Sequence, residues 1–152
     1  MDNNSPGTSL QSQDHVIQES STVFLGGTCN GSDWRENLVK LHDLPFLPID
    51  PRVEYWERQH RLNEDELREN ADYSIYVITP KMRGIYTFIQ ITEDACNRPN
   101  RTAFCILDED DGETFLPRLK RNLTVSSQRW EELGATKLEN LKDINDWLWN
   151  HN

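Results

Sequence analysis

The stretch Tyr73-Ser74-Ile75-Tyr76-Val77-Ile78 decides the fold, and the breaker pair Thr79-Pro80 closes it. Short runs of β-branched and aromatic residues between breakers are typical of strands that are buried on both faces. Similar runs predict three further strands, over residues 22–25, 46–49 and 103–107. Each of the four runs is followed by a turn-forming segment, so we expect four separate strands.

The segments between these strands have helical patterns. Asp33 and Glu36 predict a capping box for a helix that reaches about residue 44, and residues 53–70 predict a solvated helix with a narrow apolar stripe. In a third helix, the expected apolar face carries Ile85, Phe88, Ile89 and Cys96. Apolar residues three and four positions apart predict a closing helix: Leu138, Leu141, Ile144 and Leu148.

Strands that alternate with helices imply crossover connections and a parallel sheet covered on both faces. A chain of 152 residues has room for one such domain. We therefore predict a single three-layer α/β domain over residues 21–152, with a short, doubly wound parallel sheet of the flavodoxin or Rossmann type. Residues 1–20 are mostly polar and cannot offset their ordering entropy, so a disordered tail is expected there.

The charge balance limits the classes of partner. Lys and Arg total 16 against 26 Asp and Glu, a net charge of −10, which argues against binding a nucleic acid polymer. No apolar run approaches the ~20 residues of a membrane helix, and the first residues do not resemble a secretory signal. Cys29, Cys96 and Cys105 lack CxxC spacing. We expect a cytoplasmic protein with no membrane partner, no metal and no cofactor.

Ligands of open parallel sheets bind outside the carboxyl ends of the strands, so the candidate loops are 26–33, 50–55, 79–86 and 108–112. Gly26-Gly27-Thr28-Cys29-Asn30-Gly31 follows a strand and opens a helix, as a ligand cradle or an ordinary tight turn would. Cys29 has no local base, which argues against a nucleophilic role. The acidic run 108–111 lacks the spacing of a calcium loop and favours a solvated turn.

Three stretches carry a family resemblance: residues 23–30 with Trp34 and Arg35, residues 49–51 with Trp56, and residues 71–87. Together they resemble the nucleoside 2-deoxyribosyltransferase-like family, in its small bacterial and phage branch. The resemblance covers about residues 22–107. Its most specific part is Asp72-Tyr73, followed by the block Ile78-Thr79-Pro80-Lys81-Met82 and then Gly84. It implies a doubly wound α/β fold and action on the N-glycosidic bond of a nucleoside or nucleotide, by transfer or hydrolysis.

In the implied mechanism a glutamate attacks the anomeric carbon, and a ribosyl-enzyme ester forms and is then resolved. The family motif places this nucleophile at Gln90, whose amide is a poor nucleophile. Three interpretations stay open: a chemically silent relative that binds a nucleoside-like ligand, an isosteric replacement made to trap a substrate, or a shifted register in which Glu93 or Asp94 supplies the acid. Both an active enzyme and a non-catalytic relative therefore remain possible.

The resemblance also implies contacts with substrate. Asp72 would help to hold the sugar or base, or it is a plain turn residue. Lys81 and Arg83 would meet a phosphate, or they are solvated surface charges. The predicted substrate-binding residues are Gly26, Gly27, Thr28, Asp50, Lys81, Arg83, Gly84 and Tyr86.

The function implied by the resemblance is nucleoside or nucleotide processing, with a nucleoside or its monophosphate as the ligand. A non-catalytic nucleotide-binding or protein-interaction module on the same fold is the alternative. Members of the wider family often complete their sites with a neighbouring subunit, so the resemblance also implies a homodimer.

Overall fold

A computed structural model describes residues 20–41 and 46–151. The predicted tail therefore lies outside the described residues except for Ser20, as does the expected end of the first helix near residue 44. The main sheet has five parallel strands: β1 (Thr22–Gly27), β2 (Leu47–Ile49), β3 (Tyr73–Ile78), β4 (Thr102–Ile106) and β7 (Thr136–Leu138). A hairpin of β5 (Glu109–Asp110) and β6 (Glu113–Thr114) lies outside this sheet.

The strand order β2-β1-β3-β4-β7 is the doubly wound order of flavodoxin-like domains, with its reversal beside β1. The described ranges contain five α-helices: α1 (Trp34–Leu41), α2 (Arg58–Asn70), α3 (Tyr86–Asn97), α4 (Pro117–Glu132) and α5 (Lys142–His151). The first four lie between strands, and α5 follows β7. The predicted α/β architecture is confirmed. None of the helices in the described ranges combines the length and apolar character of a membrane crossing.

The sheet separates two apolar layers, because successive side chains of a strand point to opposite faces. Tyr73, Ile75 and Val77 of β3 share one core with residues of α1 and α5. Tyr76 and Ile78 share the other core with residues of α3 and α4. Three layers of structure result, as the sequence pattern predicts.

Two sequence-based helix assignments need correction, and two further elements have no sequence-based prediction. Leu138 belongs to β7, and the closing helix begins only at Lys142, although Leu138 and Ile144 share one core. The second helix begins at Arg58 rather than at residue 53. The sequence patterns predict neither α4 nor β7. The buried face of α4 includes Ser127, and β7 is only three residues long, so both lack a continuous apolar signal.

The predicted apolar face of α3 is wrong except for Phe88, which packs against the core beside Trp130. Ile85, at its N-cap, is 73% exposed, and Ile89 and Cys96 are exposed as well. The helix buries a different face: Thr87, Gln90, Ile91, Asp94 and Ala95. Two of these side chains, Gln90 and Asp94, are polar and pair with α2, so partner contacts override the hydrophobic pattern.

Gly27 allows β1 to approach β3 at the end where the candidate site lies. Its φ is +113°, and an added Cβ would lie 2.0 Å from the carbonyl oxygen of Val77. We expect Gly27→Ala to lower the free energy of unfolding by about 3 kcal/mol or more. Gly31→Ala is the matched control, with φ +62° and open space around the added methyl, and should cost only about 1–2 kcal/mol. Urea denaturation measures both values, and similar losses would contradict this account.

Candidate functional site

A cleft of about 520 Å³ opens at the carboxyl ends of β1, β2 and β3, the edge at which the sequence places the site. The cleft is lined by three loops and two helices. Its lining comprises Gly27 at the end of β1, Cys29 and Asn30 after β1, residues 51–54 and Trp56 after β2, residues 82–87 and Gln90 after β3, and Glu64 of α2. The volume lies within the range of small-molecule sites.

Gln90 lies at the floor of the cleft and is 1% exposed. Its Nε2 donates a hydrogen bond of 2.8 Å to Oε1 of Glu64 on α2. The other oxygen of Glu64, Oε2, accepts a hydrogen bond of 3.3 Å from Nε1 of Trp56. A neutral amide and an indole therefore hold a carboxylate at the cleft.

An aromatic wall stands beside this carboxylate. The rings of Trp56 and Tyr86 have centroids 5.8 Å apart. The hydroxyl of Tyr86 donates to both carboxylate oxygens of Asp65, at 2.8 and 3.1 Å. Burial and this contact with Asp65 raise the pKa of Tyr86, so its hydroxyl stays protonated.

Behind Gln90, one helical turn further along α3, the carboxylate of Asp94 is buried. It accepts hydrogen bonds of 2.6 Å from Nη1 of Arg68 and from the hydroxyl of Tyr76, and longer ones from Arg98. Burial and the neighbouring Asp94 raise the pKa of Tyr76. Since Glu64 and Arg68 are also one turn apart, Gln90–Glu64 and Asp94–Arg68 are successive contacts between α2 and α3.

The loop after β1 is fixed by α1. The buried Arg35 donates to the carbonyl oxygens of Leu25 and Thr28, and Nε1 of Trp34 donates to the same oxygen of Thr28. Burial lowers the pKa of Arg35, although the nearby Cys29 and Asp50 oppose this effect. The glycine-rich loop therefore has a rigid base.

Of the predicted site residues, five line the cleft: Gly27, Arg83, Gly84, Tyr86 and Gln90. Gly26 lies against the rings of Tyr76 and Phe24, and an added Cβ would come within 2.6 Å of the former and 2.9 Å of the latter. Thr28 is fully buried, and its hydroxyl accepts a hydrogen bond from the backbone of Thr79. These two residues support the loop rather than line the cleft.

Asp50 is held by ion pairs next to the cleft. Arg52 contacts it at 2.6 Å and also contacts Glu36 at 2.7 Å. Burial of Asp50 would by itself raise its pKa, but hydrogen bonds from Arg52 outweigh that effect and lower it. Arg35 lies 3.5 Å from the same carboxylate. Arg52 itself lines the cleft.

Lys81 and Arg83, expected either to meet a phosphate or to be solvated surface charges, both contact the acidic hairpin. Lys81 pairs with Asp111 and donates to the backbone carbonyl of Gly31, while Arg83 pairs with Glu113 at 3.3 Å. The run 108–111, expected to be a solvated turn, includes β5 of this hairpin and its positive-φ residue Asp111. Lys81 does not line the cleft, whereas Arg83 does.

Asp72 lies at the amino end of β3, the opposite edge of the sheet from the cleft. Its carboxylate accepts hydrogen bonds from the backbone and the hydroxyl of Thr22, at 2.7 and 3.0 Å. The structure therefore does not bring Asp72 together with Gln90, and it agrees with the plain turn interpretation.

Cys29 lines the cleft and donates to the carbonyl of Gly27. His60 accepts a hydrogen bond from the backbone of Glu57, and His151 contacts Trp147. The hydrogen bonds of Cys29 within the described ranges join it to Gly27 and Arg35 and not to a histidine. Within the described ranges, no group of three or more His, Cys, Asp or Glu side chains is arranged to hold a metal ion.

Sequence reasoning missed the roles of Glu64 and Trp56. Glu64 lies in a strongly charged helix, in which nothing local distinguishes it from its solvated neighbours. Trp56 appears in the family resemblance, but only the folded chain brings its ring against Tyr86 and its indole N–H against Glu64.

No protein-family model matches this chain, and no curated protein matches it either. The resemblance to the nucleoside 2-deoxyribosyltransferase-like family therefore stays a prediction, while the fold rests on the structure described above.

The contact between Asp94 and Arg68 should be among the most important for stability. We expect Asp94→Asn to lower the free energy of unfolding by about 3 kcal/mol or more, because Arg68 then loses its buried counter-charge. Glu93→Gln is the control, since Glu93 also contacts Arg68 at 2.8 Å but is half exposed, and should cost about 1 kcal/mol or less. Guanidinium denaturation of both variants tests the difference, and equal costs would contradict it.

Proposed function

We propose that this protein is a nucleoside-processing protein whose cleft binds a nucleoside or its 5′-monophosphate. The observation that carries the proposal is the carboxamide of Gln90, buried at the cleft floor and paired with Glu64. This is the position at which the resembled family has its nucleophile. The sugar would lie over this pair, with its anomeric carbon toward residue 90.

The shape of the cleft supports a flat heterocycle beside the sugar. Trp56 and Tyr86 offer ring faces, and aromatic stacking binds any base without sequence-specific contacts. Gly27 and Gly84 have no side chain, so a ligand can approach their backbone closely. For a monophosphate, Arg83 is the available cation at the rim, because its ion pair with Glu113 is exposed and therefore weak.

A protein-interaction module is the second candidate function. Exposed apolar side chains favour it: Ile85 lines the cleft and is 73% exposed, and Tyr55 and Ile89, next in sequence to the cleft residues Trp56 and Gln90, are 73% and 50% exposed. A second copy of the chain would be one such partner.

The three cysteines are free thiols, which is in keeping with a reducing, cytoplasmic location.

Binding can be tested by isothermal titration of the protein with a panel of nucleosides and 5′-monophosphates. We expect at least one to bind, and Trp56→Ala to weaken that binding about tenfold or more because base stacking is lost. Trp149→Ala is the matched control: Trp149 is 53% exposed, like Trp56, but lies on α5 outside the cleft.

The outcomes separate the two candidate functions. If no member of the panel binds to the folded protein, the nucleoside proposal fails and the interaction module takes its place. If a ligand binds but both tryptophan variants weaken it equally, the ligand does not occupy this cleft.

A further inference from the structure

The negative charge next to Gln90 comes from Glu64, which is half-buried at the cleft. Its two oxygens accept hydrogen bonds from an amide and an indole, and both of these donors are neutral. The ion pairs formed within residues 20–41 and 46–151 do not include Glu64. Glu64 thus brings an uncompensated charge to the cleft.

The other carboxylates near α3 are already occupied. Asp65 accepts from Tyr86 and lies 3.5 Å from Arg68, and Asp94 is enclosed by Arg68, Tyr76 and Arg98. Glu93 pairs with Arg68 and does not line the cleft. Glu93 and Asp94, the two acids considered as replacements for the missing nucleophile, therefore point to other partners.

We infer that Glu64 supplies the nucleophilic carboxylate of this site and that Gln90 positions it, so that the chain itself cleaves an N-glycosidic bond. This inference rests on the proposed function, since it requires a nucleoside in the cleft. The carboxylate comes from α2 instead of α3, and its distance of 2.8 Å from the Gln90 amide places it beside the position that the family motif assigns to the nucleophile.

The reaction proceeds in two displacements. An oxygen of Glu64 forms a bond to the anomeric carbon while the carbon–nitrogen bond breaks, and that electron pair leaves with the base, which takes a proton from solvent. Water then attacks the same carbon, the ester bond breaks, and the water's proton returns to solvent. The net reaction converts nucleoside and water into sugar and free base.

The pairing also gives a reason for glutamine at position 90. Two carboxylates at hydrogen-bond distance cannot both ionise easily, so one of them would retain a proton. An amide at position 90 instead donates a hydrogen bond to Glu64 and adds no second carboxylate. Gln90→Glu alone should therefore place two carboxylates side by side, one of which retains a proton. Exchanging the two residues should instead keep one carboxylate and one amide in contact.

Four proteins test the inference: the native chain, Glu64→Gln, the exchange Glu64→Gln with Gln90→Glu, and the control Glu66→Gln. Glu66 is exposed on the same helix, so its variant makes the same charge change outside the cleft. Free-base release from the nucleoside that binds best is followed by chromatography with mass detection. We expect Glu64→Gln to lower kcat/KM at least about a thousandfold, the control to stay within about threefold, and the exchange to recover part of the loss.

A covalent ester is the readout that a merely structural role would not produce. With the 2′-fluoroarabinosyl analogue of that nucleoside, whose fluorine slows both displacements, intact-mass measurement should show one added sugar. Peptide mapping should place it at residue 64 in the native chain and at residue 90 in the exchange variant. Thermal melting of each variant checks that the fold is kept.

Base release that persists in Glu64→Gln would overturn the inference, as would release that depends on Glu64 without an ester. If nucleosides bind but neither the native chain nor the exchange variant releases base, the inference fails while the proposed function stands. If no nucleoside binds, both fail.

Discussion

The buried carboxylate of Asp94 is the group on which the rest of this structure depends. It joins three elements, because Arg68 comes from α2, Tyr76 from the central strand β3, and Asp94 itself from α3. A charge in such a place is tolerated only when it is paired and its oxygens accept hydrogen bonds. It therefore fixes how α2 lies against α3, and Arg98 ties the same group to the backbone of Ala71 and to Ser74.

The position of the candidate site follows from the way in which α2 packs against α3. One turn away from Arg68 and Asp94, on the same two helices, Glu64 meets Gln90. The contact lies at the open end of the sheet, where the order of strands reverses and leaves room beside β1. The ion pairs of Asp94 lie behind the cleft. The next contact between the two helices involves Glu64, whose carboxylate accepts hydrogen bonds from neutral donors and faces the cleft.

Much of the site can be predicted from sequence, because glycines and a strand end are local signals. The glycine-rich loop, Gly84, Tyr86 and Gln90 lie at the cleft or directly beneath it, as expected from the strand-end rule and the family motif. Asp72 shows the limit of that approach, since an acid next to a strand can lie at either edge of the sheet and this one lies at the far edge. The apolar face expected for α3 was wrong for a related reason: the helix buries Gln90 and Asp94, which have partners on α2.

The sequence by itself determined the layered α/β architecture. Short apolar runs that end at turn-forming residues indicate buried strands, and apolar residues three and four positions apart indicate helices with one buried face. Through its family resemblance the sequence also predicts that position 90 corresponds to the nucleophile of the resembled family. Only the tertiary structure decided that Glu64 lies beside Gln90, that the ring of Trp56 lies against that of Tyr86, and that Lys81 and Arg83 pair with the hairpin. Burial of apolar surface needs no specific partner atom, so the spacing of apolar residues along the chain is enough to predict it. Ion pairs and hydrogen bonds join specific atoms that are far apart in the chain. The packing of the helices against each other decides which of these atoms meet, and no local sequence pattern predicts that packing.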